Sequence, residues 1–148
     1  MNISKFTQKS VEILNNLEKI AYDFGAQEIA QEHLLYGMLT VEDSLIKKLI
    51  EKMEIDSDVF LAQVEGAVRK RPQVQGGQVY IGQDLNKVLV YAENEAKALG
   101  DEYVSVEHLF LSLLRKPSKE IKQLFHDFQI DRERFLQALS KVRGNQKV

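Results

Sequence analysis

The chain has 148 residues, 44% hydrophobic and 28% charged, with 20 Lys and Arg against 22 Asp and Glu for a formal net charge of -2. That near-balance gives no electrostatic case for nucleic acid or an anionic membrane as a partner. With no cysteine in the sequence, disulfides, thiolate catalysis and Cys-ligated zinc are excluded.

The opening MNISKFTQKS is polar and lacks the apolar core of a secretory signal. No apolar run approaches the roughly 18 residues that span a bilayer, so a cytoplasmic location and no membrane partner are expected. Thr7 is placed to cap a first helix whose stripe is Ile13, Leu14, Leu17, Ala21 and Phe24, and Gly25 is placed to end it. An apolar helix over 32–39 follows, then one over 45–53 capped by the Asp43-Ser44 pair. Asp56 caps a fourth helix that reaches about 71, where Pro72 forbids continuation. The segment 72–82 has a proline and three glycines and reads as a loop. Its Val74, Val79, Tyr80 and Ile81 are too apolar for a freely solvated linker, so it either packs across the halves or lines a groove. Beyond it the periodicity predicts helices over 83–99, 105–114, 118–128 and 131–143, the last capped by Asp131. No window alternates as a strand does, so the chain is expected to be all-α.

An internal repeat organises these elements. Glu32-His33-Leu34 recurs as Glu107-His108-Leu109, an offset of 75. Applied without gaps, that offset sets Leu14 on Leu89, Ala21 on Ala96, Gly25 on Gly100 and Leu39 on Leu114. It also sets Ile46-Lys47 on Ile121-Lys122, Ile55-Asp56 on Ile130-Asp131 and Phe60-Leu61 on Phe135-Leu136. The expected architecture is therefore one domain of two tandem four-helix repeats related by a pseudo-twofold axis. Repeat one covers 1–71, the connector 72–82 and repeat two 83–148.

Candidate chemistry is sparse. His33 and His108 are equivalent and lack a metal-binding spacing such as H-E-x-x-H, so packing or capping is the expected role and no metal site is assigned. Glu93 with Glu95, and Asp101 with Glu102, are carboxylate pairs that read as exposed helix and turn charges. No phosphate-binding loop or nucleophile elbow occurs, so the chain is not expected to be an enzyme. Arg69, Lys70 and Arg71 form the densest basic run and complement a helix C-terminus. They would also carry the weaker alternative of a helical nucleic-acid binder. The copies differ most where Asn15 and Asn16 of the first are matched by Val90 and Tyr91 of the second. That surplus apolar surface faces either the sister repeat or a partner.

The paired Glu-His-Leu helices, the run RKRPQVQG at 69–76, Gln83-Asp84-Leu85, and Gly100-Asp101 followed by Glu107 resemble the N-terminal domain of Clp-family unfoldases. The resemblance covers essentially the whole chain. The connector and Val142-Arg143-Gly144 look more like the ClpB-type disaggregases than the ClpA or ClpC types. It implies a substrate-engaging domain that binds exposed hydrophobic segments of unfolded or aggregated proteins and hands them to an ATP-driven ring. The alternative within the family is docking of a folded adaptor, as in ClpA and ClpC types. It also implies a homohexameric parent that works with another chaperone system and continues past Val148 into ATPase modules. ATP and Mg are expected there and no cofactor in this domain, which is itself expected to be monomeric. Thr7, Asp101 and Glu107 match polar positions implicated in that work, though Thr7 also reads as a cap and Asp101 as a turn residue. The apolar groove maps around Leu89 and Tyr91, with Val90 beside them and Leu109 and Phe110 as neighbours.

Overall fold

The computed structural model describes residues 3–74, 76–144 and 147–148. Met1, Asn2, Gln75, Asn145 and Gln146 fall within the expected boundaries 1–71, 72–82 and 83–148 but outside the described residues. After a single 3-10 turn the first half comprises α1 (Gln8–Asn15), α2 (Leu17–Asp23), β1 (Glu28–Ile29), α3 (Gln31–Thr40), α4 (Leu45–Lys52) and α5 (Ser57–Arg69). The rest comprises β2 (Tyr80–Ile81), α6 (Gln83–Ala98), α7 (Val106–Arg115), α8 (Lys119–Asp127) and α9 (Arg132–Arg143). The caps are local chemistry legible in the sequence. Thr7, Ser44, Asp56 and Asp131 each accept a backbone N–H of the first turn they precede. Gly25 and Gly100, with φ of 73° and 72°, reverse the chain after α2 and α6.

The fold is helical, as expected, with two local departures. The first helix breaks at Asn16, whereas α6 carries Val90 and Tyr91 at the matching positions and runs unbroken. Asn15 and Asn16 support a helix weakly, since their side chains compete for nearby backbone groups. The second departure is strand pairing, in pieces too short to show alternation. β1 runs parallel to β2, with Glu28 opposite Tyr80 and Ile29 opposite Ile81. Tyr80 N–H donates to Gln27 O and Gly82 N–H to Ile29 O, both at 2.9 Å. A second parallel bridge joins Phe6 to Val104. There Val104 N–H donates to Lys5 O at 2.8 Å and Thr7 N–H to Val104 O at 2.9 Å. Each half thus lays the residues before its first helix against the loop that follows the first helix of the other.

The interior is one contiguous apolar cluster that takes residues from both halves. Phe60, Phe110 and Phe135 are its largest fully buried side chains, and α4 lies against α7 and α9 across the middle. Gln31 is a polar staple inside it. Its Nε2 donates to Asp84 O and Lys116 O, both at 2.9 Å, and its Oε1 accepts Ser118 N–H at 2.8 Å. Every polar group of that side chain is used, which removes the cost of burying it.

Candidate functional site

A groove of about 340 Å³ opens between α1, α2, β2 and α6. Leu14, Leu17, Ile29, Val79, Ile81 and Leu89 form its apolar walls, and Glu18 is its one charged lining residue. The halves differ here: Ile81 is 48% exposed, while Phe6, 75 positions earlier, is buried. The connector packs on the first half, to which it hydrogen-bonds, and also lines this groove with its Val79, Tyr80 and Ile81.

The sequence-predicted site residues scatter. Leu89 lies in the groove wall and is largely buried. Val90 and Tyr91, 54% and 42% exposed, stand on the outer surface of α6, and Lys116 Nζ sits 4.7 Å from the Tyr91 ring centroid. Thr7 caps α1 and shares a 2.9 Å hydroxyl contact with Ser10. Leu109 and Phe110 are corrected from groove neighbours to core. Both are fully buried, because α7 is enclosed on nearly every side, its polar Glu107, His108 and Ser112 included. Leu14 and Leu17 were legible only as core, and nothing local distinguishes a core stripe that also floors a groove.

Asp101 and Glu107, which the resemblance matches to client-engaging positions, are both buried. His108 Nδ1 accepts Ser105 N–H at 2.8 Å, which puts its proton on Nε2, 2.7 Å from Asp101 Oδ2. Arg143 Nη2 reaches the same oxygen at 2.5 Å and Glu107 Oε2 at 3.6 Å. Burial alone would raise the Asp101 pKa, but the bonds from Val148 N–H, Arg143 and His108 hold it below the ordinary carboxylate value. Burial lowers the His108 pKa despite the neighbouring carboxylates, so the ring stays neutral. Ser105 Oγ lies 2.9 Å from His108 Nδ1, which completes a Ser-His-Asp sequence of contacts. All three residues are buried, so an incoming substrate has no approach to the hydroxyl, and the arrangement serves capping and charge balance.

His33 repeats the capping bond, Nδ1 accepting Ala30 N–H at 2.8 Å. Both histidines are therefore caps, as the copied tripeptide implies. Glu95 departs from its expected exposure. It is buried, with Arg115 Nε at 2.8 Å and Arg132 Nη1 at 2.5 Å. In the basic run, Arg69 contacts Glu65 at 3.4 Å and lies over the Phe24 ring, while Arg71 meets Glu28 at 3.2 Å. Two of those three cations are thus already engaged. Among the described residues no helix is long and apolar enough to cross a membrane.

Fold and site together define a helical domain with cross-paired halves, an apolar surface groove, and buried Asp101 and Glu95 paired with arginines. The chain belongs to the Clp repeat (R) N-terminal domain family, whose profile matches residues 5–128. Chaperone protein ClpB of Nitratidesulfovibrio vulgaris is 40% identical over 154 positions, which take in all of this chain and 18% of that protein. The chain spans 18% of the length of this relative and of ClpB from Bacillus cereus. The Hsp104 N-terminal domain from Candida albicans superposes with a TM-score of 0.83 at 21% identity, covering 97% of this chain and 94% of that one. The ClpV N-domain in complex with a VipB peptide gives 0.76 at 19% identity, covering 97% and 90%. These two likenesses concern the fold.

Proposed function

We propose that this domain engages exposed apolar segments of unfolded or aggregated proteins in the groove beside α6 and passes them to the ATPase ring of a longer, hexameric ClpB-type parent. The observation that carries the reading is the apolar wall of Leu14, Val79, Ile81 and Leu89, with Ile81 half exposed where the matching Phe6 is buried. Burying two or three client side chains there supplies roughly 1.5–3 kcal/mol each before ordering costs, which suits weak capture and ready release. Titration of the isotope-labelled domain with an unfolded model protein should shift the amides of Leu14, Ile81 and Leu89. An unchanged spectrum at large excess sinks the proposal. Ile81→Ser should weaken that binding about three- to tenfold and leave stability within about 0.5 kcal/mol, because the side chain is half exposed.

Docking of a defined peptide from an adaptor is the competing reading. It is supported by the ClpV N-domain complex with a VipB peptide, which shares this fold. One protein captured in fixed stoichiometry, in place of many unfolded clients, would favour it.

A further inference from the structure

β2 meets the groove in a way that one side-chain face does not explain. Val79, Tyr80 and Ile81 all line it, and they are consecutive. Side chains of an extended segment alternate between faces, so three neighbours reach one groove only where it runs along the strand's edge. The main chain agrees. Tyr80 N–H donates to Gln27 O and Gly82 N–H to Ile29 O, so the N–H and C=O of Ile81, between them, point away from β1. Among the described residues the Ile81 N–H has no hydrogen-bond partner. An unpaired edge of this kind is a template for one more strand. In the other half Thr7 N–H makes the matching bond to Val104 O, but Phe6, in the place of Ile81, is buried. Of the two equivalent edges, the one at the groove is the exposed one.

We propose that the occupant of the groove is an extended stretch of unfolded chain that adds to β2 as a third strand. Its main chain exchanges hydrogen bonds with the N–H and C=O of Ile81, which any residue except proline can supply, and every second side chain drops between Leu14 and Leu89. Glu18, the one charged lining residue, is exposed and makes no ion pair among the described residues, so the stretch is neutral or basic beside it. The inference rests on the groove being the client site, and adds the conformation in which the client is held. An α-helical occupant satisfies its own main chain and leaves Ile81 unpaired.

A lysine-flanked peptide of about ten residues, alternating valine and threonine, separates the two levels. Bound to the isotope-labelled domain, it should shift the amides of Leu14 and Leu89 and slow hydrogen exchange at the Ile81 amide about tenfold. Single N-methylation of its peptide bonds, position by position, should weaken binding about three- to tenfold at alternate central positions and less than about twofold between them. Shifts at Leu14 and Leu89 with unchanged Ile81 exchange, or losses without a two-residue period, overturn strand addition and leave the groove reading standing. No shift at Leu14 or Leu89, with an unfolded model protein as well as with the peptide, overturns the groove reading and strand addition with it.

Discussion

Replacing Phe110 with alanine is expected to cost about 3–5 kcal/mol of folding stability, the range for emptying a buried aromatic site. The ring is fully buried, stacks on Phe135 at 4.5 Å between centroids and meets Phe125 at 5.4 Å. Phe135 belongs to α9 and Phe125 to α8, so the cavity would lie where three helices converge and collapse would be resisted. Tyr91→Ala should cost far less, since that ring is 42% exposed and leans chiefly on Lys116. Urea unfolding of the two variants makes the contrast quantitative. A Phe110→Ala loss below about 1 kcal/mol would remove it from the core.

Mild acid should destabilise the domain through its buried histidines. Burial, reinforced by the charge of Arg71, lowers the His33 pKa from 6.5 to about 4. The unfolded chain takes up the proton near 6.5 and the folded chain only near 4, so the unfolded state binds more protons throughout that window. The stabilising contribution is complete above pH 6.5 and shrinks as pH falls, by about 3 kcal/mol at pH 4. His108, lowered likewise by burial, acts in the same sense. Glu32 acts in the opposite sense, because burial raises its carboxyl pKa and the folded state takes that proton first. Asp101, held low, contributes above its ordinary value of 3.8 and is lost only below it. Denaturant midpoints measured from pH 7 to 4 should fall steadily, and His33→Gln should flatten the slope. A midpoint that stays level between pH 6.5 and 4.5 contradicts the assignment.

Much of the helical plan was legible because its determinants are local. The stripe Ile13, Leu14, Leu17 and Ala21 fixes a face, and Thr7, Ser44, Asp56 and Asp131 mark starts through their own hydrogen bonds. The offset of 75 went further, since it identified His33 and His108 as copied structure before either capping bond was seen. What stayed hidden depends on distant partners. Glu95 reads as an exposed helix charge until Arg115 and Arg132, 20 and 37 positions on, close over it. Asp101 reads as a turn residue until Arg143 arrives from 42 positions away. Leu109 and Phe110 misled for a related reason. On a helix whose apolar and polar residues alike are buried, no periodicity tells the face toward a groove from the face toward the core. The surplus at Val90 and Tyr91 lies on α6, which also walls the groove, but the groove opens on the side where Leu89 lines it with Leu14 and Ile81.

The crossed strand pairings have a mechanical consequence. Lys5–Thr7 can leave Val104 only if α1 shifts, and Tyr80–Gly82 can leave Gln27–Ile29 only if α6 shifts. Neither half can loosen without stripping hydrogen bonds from its sister, so the molecule is coupled as two clasped hands are, through two wrists at once. The groove sits at one of those wrists, walled by α1 and α2 on one side and by β2 and α6 on the other. An occupant there grips both halves together, and its affinity is returned as resistance of the entire domain to unfolding.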